Sequence, residues 1–375
     1  MTVDLRQLAS AAVRGIAPYV PGKPLQELER EYGVVDSIKL ASNENPLGPG
    51  PKALTAIERA IRELGLYPDG NGFALKEAVA KHMNCATEQI TLGNGSNDLL
   101  QMAAEAFLTS DTEAVYSQYA FAIYGIVVQA TGATARISPA FAEGHPMALG
   151  HDLDAMRKLV NERTRLVFVA NPNNPTGTWV QKEPLKRFIA GLPSTTVVLV
   201  DEAYAEYVDD PQYPNARAWL DEFPNLIVTR TFSKAYGLAG LRVGYGLAHP
   251  SVADMLNRVR QPFNVNSLAL AAAEAALTDK EHLAHSVELN RAGMRQLIEG
   301  FDRLRLKHYP SIGNFLLVDC GRPGVPVYDA LLRLGVIVRP IAGYGLPNHL
   351  RISIGTRDQN ERLLAALARI VTRDS

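Results

Sequence analysis

The stretch "TRTFSKAYGLAGLRVGY" (229–245) holds one lysine, Lys234, and no other lysine occurs between Lys186 and Lys280. It follows an apolar run. A lysine at a buried strand end has its ammonium form disfavoured, which makes the amine nucleophilic near neutral pH. Thr231, Ser233 and Arg242 around it offer hydroxyls and a guanidinium suited to a phosphate dianion. A solvated side chain is the ordinary fate of a lone lysine, but three further polar motifs stand against that reading here. "GNGSNDLL" (93–100) is a glycine-rich turn opening a helix, where Gly93 and Gly95 permit tight backbone geometry and Ser96 or Asn97 can cap a helix whose free N–H groups and dipole attract a phosphate, or it is simply a well-capped helix. "NPNNPTG" (171–177) is stiffened by two Asn-Pro pairs, and Asn174 can donate to a ligand oxygen. In "DEAY" (201–204), Asp201 directly follows four apolar residues. A carboxylate there wants a cation or a donor, unless it only caps the next helix. Tyr204 can point a phenol at the same ligand.

A phosphate cradle, an acid for a ring cation, oxygen-directed donors and an amine nucleophile together match pyridoxal 5′-phosphate, whose lysine bond and Asp-paired pyridinium are its usual requirements. The glycine turn is neither GxGxxG nor GxxxxGK[ST], so dinucleotide and nucleoside-triphosphate sites lack their spacing.

The elements that must position these residues are legible around them. "LVFVA" (166–170), "TVVLV" (196–200) and "LIVT" (226–229) are short β-branched runs of the kind buried on both faces of a parallel sheet. "NDLLQMAAEAFL" and "EPLKRFIAGL" carry helical apolar stripes between them. Strand–helix alternation predicts a doubly wound α/β core, in which ligands bind beyond the carboxyl ends of the strands. After about residue 260 a long Ala/Leu-rich helical stretch (266–300) precedes the strand-like "NFLLVDC", "GVIVRP" and "HLRISIGT" and a last amphipathic helix, "NERLLAALARIV". The expected organisation is an arm (1–40) packing on the C-terminal unit or on a partner subunit, a large α/β domain (41–260) with a mostly parallel sheet, and a smaller α+β domain (261–375). In "HLRISIGT" Leu350, Ile352 and Ile354 face one way, and Arg351 and Ser353 the other.

The totals set the limits. A chain of 375 residues with 47% hydrophobic and 21% charged residues can bury a large core, and two domains are the prior. The net charge of −1, from 38 basic and 39 acidic residues, gives no field for nucleic acid or a membrane surface, so any anion site is local. Cys85 and Cys320 are far apart and outside any CxxC, which argues against a disulfide framework or zinc site and for a reducing, cytoplasmic setting. The first residues lack the order of a signal peptide, and "SLALAAAEAAL" is too short to span a bilayer. The histidines form no metal set.

In order and spacing, "NPNNPTG", "VDEAY" and "SKAYGLAGLRVGY" resemble the fold-type I, aspartate-aminotransferase-like pyridoxal-phosphate enzymes. "APYVPGKP" (17–24), "ASNENPLGP" (41–49), "YPDGNGFALK" (67–76) and "LRISIGT" (350–356) resemble the branch acting on histidinol phosphate. The resemblance implies that Lys234 bonds the cofactor and acts as general base, and that Asp201 pairs with the pyridine nitrogen. It gives Asn174 and Tyr204 the ring's phenolic oxygen. Gly95, Ser96, Asn97, Ser233 and Arg242 would hold the phosphate, with Thr231 nearby. Tyr67 would reach the phosphate in the neighbouring subunit of an obligate homodimer. Phe121 would stack on the ring, with Tyr119 as fallback. Arg351 resembles the arginine that forks substrate carboxylates, with Tyr19, Asn43, Asn174 and Arg339 as further substrate contacts. The implied reaction moves the amino group of glutamate to imidazole-acetol phosphate, giving histidinol phosphate and 2-oxoglutarate. An aromatic-amino-acid aminotransferase or a threonine-phosphate decarboxylase would keep the same cofactor residues. A pyridoxal-phosphate-binding regulator would need a DNA-binding module, and none is visible.

Overall fold

A computed structural model describes residues 4–371. Seven strands form the central sheet, in the order Ile90–Gly93, Gly244–Ala248, Leu226–Thr231, Val197–Asp201, Thr164–Ala170, Glu113–Ser117, Thr134–Ser138. Only Gly244–Ala248 runs antiparallel to its neighbours. The other pairings are parallel. The β-branched runs are buried because both faces are covered. Val167, Val169, Val198 and Val200 enter one core, and Leu166, Phe168, Ala170 and Leu199 enter the other. This is the period-2 alternation of a strand with helices on each side.

The smaller unit has a four-stranded antiparallel sheet, ordered Arg339–Pro340, His349–Ser353, Phe315–Asp319, Lys307–His308. Leu350, Ile352 and Ile354 pack there with Leu297, Phe301, Leu331 and Leu363 of its helices. "GVIVRP" is two short strands rather than one. Val336–Ile337 pairs with Ile38–Lys39, while Arg339–Pro340 pairs with the strand carrying Arg351.

The stretch 266–300 is likewise two helices, Ser267–Leu277 and Lys280–Arg303, separated at Thr278 and Asp279. The first buries Ala269, Ala272, Ala273 and Ala276 in the large core. The packing therefore changes along Lys280–Arg303, which lays Leu283 against the large core and Leu297 and Phe301 in the small one. Before residue 40 the helix Leu25–Tyr32 buries Leu28 against Ala41, Leu332 and Ile337. The shorter turns Leu5–Leu8 and Ala11–Arg14 precede it and bury nothing. Among the described residues no helix is long and apolar enough to cross a membrane, and no group of three His, Cys, Asp or Glu is placed to hold a metal ion.

Candidate active site

Ala170, Asp201 and Thr231 end three adjacent parallel strands, and all three line one cavity of about 200 Å³. The loops beyond those ends add Asn174, Tyr204, Ser233 and Lys234 to its wall. The helix Ser96–Phe107 contributes Ser96 and Asn97 of its first turn, and Phe121 immediately precedes the helix Ala122–Ala130. The small unit closes the cavity with Arg339 and Arg351, and the N-terminal segment with Tyr19, Ser42 and Asn43. Every residue expected at the site lines this cavity except Gly95 and Tyr67.

Gly95 stands just behind the wall. Its φ is +79°, and a Cβ there would lie 2.4 Å from Arg242 Nη2, so only glycine leaves the guanidinium its place. Arg242 Nη1 donates to Ser233 Oγ at 3.2 Å and to the Ala239 carbonyl at 3.1 Å. Arg242, Ser233, Thr231 and the helix start at Ser96 together form a cradle for a dianion. Tyr67 lies elsewhere, 83% exposed and stacked on Phe263 at 4.7 Å. Tyr119 packs beside Ala148 and Leu149 instead of lining the cavity, so of the two rings only Phe121 is on its wall.

Asp201 is buried, and burial raises its pKa against the effect of its donors. Tyr124 Oη donates to Oδ2 at 3.0 Å and Thr229 Oγ1 to Oδ1 at 3.1 Å. Among the described residues Asp201 makes no ion pair, and the nearby Lys234 and the Ala203 N–H favour its charged form. Sequence reasoning missed Tyr124 and Thr229. Thr229, a polar residue two before Thr231 in an apolar strand, was the one signal. Tyr124 sits on a helix behind the sheet end and gave none.

Lys234 Nζ donates to the Ser42 carbonyl at 3.1 Å. Its pKa falls to about 7, chiefly through burial and then through Arg351, with Arg242 adding to both. Tyr204 Oη accepts from Asn43 Nδ2 at 2.9 Å, and burial pushes its pKa up to about 12, so it holds its proton. Ser353 Oγ donates to Asn43 Oδ1 at 3.0 Å and accepts from the Asn43 N–H at 2.8 Å, which fixes that amide. Arg351 donates from Nη1 to Asn174 Oδ1 and from Nη2 to the Ala41 carbonyl, both at 2.5 Å. It is 8% exposed, its buried Nε has no partner, and among the described residues no carboxylate pairs with it. A buried guanidinium without a counter-ion is costly, and an anion brought beside it would offset that cost. Arg339 donates to the Val20 carbonyl and lies 5.7 Å from the Tyr19 ring centroid.

The model of the family described as "Aminotransferase class I and II" matches residues 35–367. The chain belongs to that family. Among class I and II relatives, "Histidinol-phosphate aminotransferase 2" of Pseudomonas fluorescens is 56% identical over 375 residues, all of both chains. "Histidinol-phosphate aminotransferase 1" of Nitrosococcus oceani is 54% identical over 365 residues, 97% of each. The solved structure of histidinol-phosphate aminotransferase from Sinorhizobium meliloti, in complex with pyridoxal-5′-phosphate, has a TM-score of 0.89 at 29% identity and covers 98% of each chain. The fold of this class I and II aminotransferase is therefore fold-type I, as expected from the motifs.

Proposed function

We propose that this chain is a pyridoxal-phosphate-dependent aminotransferase that moves the amino group of glutamate to imidazole-acetol phosphate, giving histidinol phosphate and 2-oxoglutarate in histidine biosynthesis. The observation that carries the reading is identity of 54–56% along essentially the whole chain to enzymes named for that reaction. The cavity fits the cofactor. It has a dianion cradle behind which a Cβ at Gly95 would intrude, a buried carboxylate without an ion pair, and an amine of lowered pKa. When bound, pyridoxal phosphate supplies the electron sink for the carbon that loses its proton and carries the amino group between the two half-reactions.

The motifs shared with the family, together with the surroundings of these residues, support the following roles. Lys234 Nζ, whose lowered pKa leaves a large neutral fraction near pH 7, would bond the cofactor and would serve as the base for the proton on the substrate's Cα. Asp201, kept in place by Tyr124 and Thr229, would hold the proton on the pyridine nitrogen. Tyr204 and Asn174 would donate to the phenolic oxygen. Ser96, Asn97, Thr231, Ser233 and Arg242 would hold the phosphate, and Phe121 would supply the aromatic cover for the ring. Arg351 forks the glutamate carboxylate or meets the phosphate of the second substrate, with Tyr19, Asn43 and Arg339 beside it. One guanidinium serves both because carboxylate and phosphate present similar acceptor oxygens.

The same reading makes the chain a cytoplasmic homodimer. Its two cysteines are free, which suits a reducing compartment. Leu54, Ile61, Leu64, Leu66, Tyr67 and Phe73 are exposed along one short segment, an apolar run that a second copy would cover while receiving Tyr67 at its phosphate cradle.

Mixing the cofactor-loaded protein with histidinol phosphate tests the reaction. The visible absorbance of the bound cofactor should fall in a single half-reaction, and no spectral change would refute the assignment. Rates with phenylalanine and threonine phosphate complete the test. If phenylalanine is preferred by orders of magnitude, the aromatic-amino-acid reading replaces this one.

A further inference from the structure

The segment 140–151 follows the edge strand Thr134–Ser138 and folds back on itself. The Phe141 N–H donates to the Gly150 carbonyl at 3.0 Å, and the Leu149 N–H to the Phe141 carbonyl at 2.9 Å. The His145 ring stacks on Phe141 with centroids 3.8 Å apart. At the base of this loop His151 is buried, and its Nε2 lies 2.9 Å from the carbonyl of Ala170, a wall residue of the catalytic cavity. The loop is thus braced within itself and tied to a catalytic strand end. Its Ala148 and Leu149 pack with Tyr309, Leu317, Ile341 and Leu346 of the small unit. Leu317 is the register partner of Arg351, so the loop packs directly beside the strand that carries Arg351.

Glu143, exposed on the same loop, crosses to the small unit. Its carboxyl is held below its ordinary pKa by Lys307 and then by Tyr309, so it is ionised and only accepts. Tyr309 is 2% exposed, and its Oη donates to Glu143 Oε1 at 2.6 Å. With its one proton given there, Oη accepts from His349 Nε2 at 3.0 Å. His349 therefore carries its proton on Nε2, and its buried Nδ1 has no partner. Lys307 Nζ pairs with Glu143 Oε2 at 2.5 Å, and Asp319 Oδ2 lies 4.0 Å from His349 Nε2. The Lys307–Glu143 pair is half exposed and contributes little by itself. The buried phenol is the part that needs its acceptor.

His349, Arg351 and Ser353 share one face of their strand. Ser353 at one end is tied to Asn43, and His349 at the other is tied through Tyr309 to Glu143, so Arg351 lies midway between two tethers. Glu143, Lys307, Tyr309 and His349 are all absent from the wall of the catalytic cavity. We propose that Glu143 is a positioning residue. Through Tyr309 and His349 it clasps the strand of Arg351 to the large unit, and so sets where the guanidinium meets the substrate's carboxylate or phosphate. Inside the cavity Arg351 is held by Asn174 and the Ala41 carbonyl, with the same N–H groups that a bound anion would take. The clasp lies outside that exchange and keeps the strand in place while it occurs. The inference rests on the aminotransferase reading above.

Glutarate is the probe, since it has the two carboxylates of glutamate and no amine to transfer. It is titrated by calorimetry into cofactor-loaded protein. Glu143→Ala, an exposed change that leaves the core alone, should weaken glutarate binding about tenfold, the scale of leaving one buried donor unmet. The KM for glutamate should rise in the same proportion, while the rate at saturating glutamate stays within about twofold. Tyr309→Phe should have the same effect, and the double variant should be no worse than either single one, because each cuts the same link. Glu143→Gln keeps Oε1 as an acceptor for Tyr309 and should recover most of the affinity. No glutarate binding, affinity unmoved in both single variants, equal damage from the alanine and glutamine changes, or a fall in saturating rate with KM unmoved would each overturn the proposal. The aminotransferase reading fails separately, if the unsubstituted protein binds glutarate yet shows no half-reaction with histidinol phosphate; the glutarate affinities still decide the role of Glu143.

Discussion

An ammonium at Lys234 would have two arginines for neighbours and little water, and that is the source of its chemistry. With a folded-state pKa near 7 against an ordinary 10.5, the folded cofactor-free protein binds fewer protons than the unfolded chain between those values. Its stability must then rise with pH across that window, and the penalty is fully present below about 7. Melting temperatures of the cofactor-free protein and of Lys234→Met, taken across the window, check this. The gap between the two proteins should change with pH, and a constant gap would contradict the charge argument. In the loaded enzyme, Lys234→Ala should lower turnover on the order of 10⁴-fold. The carboxylate at Asp201 makes a second case. Tyr124→Phe removes only the donor to Oδ2, so the fold should lose about 1 kcal/mol. Asp201→Asn should slow turnover by about 10²- to 10³-fold, the usual scale for removing a preorganised charge. Single-turnover rates and urea titrations separate the two effects.

The elements were legible in proportion to how local their causes are. The strands ending at Ala170, Asp201 and Thr231 were plain because β-branched runs buried on both faces leave a short apolar signature. The alternation that aims Arg351 away from Leu350 and Ile352 was plain for the same reason. The antiparallel course of Gly244–Ala248, the split of "GVIVRP" and the double helix after residue 266 were not, since each depends on partners distant in sequence. The Asn43–Ser353 pairing and the Tyr124 bond to Asp201 were hidden for the same cause. Gly95 joins both kinds. Its presence in a glycine turn was readable, but the Arg242 guanidinium that forbids a Cβ was not. Gly95→Ala should cost roughly 1–3 kcal/mol of stability from the positive φ alone. It should also weaken cofactor binding by displacing Arg242. Equilibrium dialysis with pyridoxal phosphate checks the second effect, and unchanged affinity would remove Gly95 from the cradle.

The whole molecule carries its apolar exposure unevenly, with Leu54, Ile61, Leu64, Leu66, Tyr67 and Phe73 exposed on one segment and Leu5, Leu8, Val20 and Val35 on the N-terminal one. If a second copy covers the first of these segments, Ile61→Glu with Leu66→Glu should give a folded monomer that binds cofactor poorly. Sedimentation velocity reads the association directly, and a dimer that survives both charges would place the interface elsewhere. The catalytic cavity has a further property at this scale. Ser42 and Asn43 come from the first eighth of the chain and Arg351 and Ser353 from its last tenth, joined across 310 residues by the Asn43–Ser353 bond. During synthesis the nucleophile leaves the ribosome more than a hundred residues before the strand that completes its pocket. A chain that ended before that strand would carry Lys234 but neither Arg351 nor Ser353, and would lack the charge of Arg351 that helps lower the pKa of Lys234.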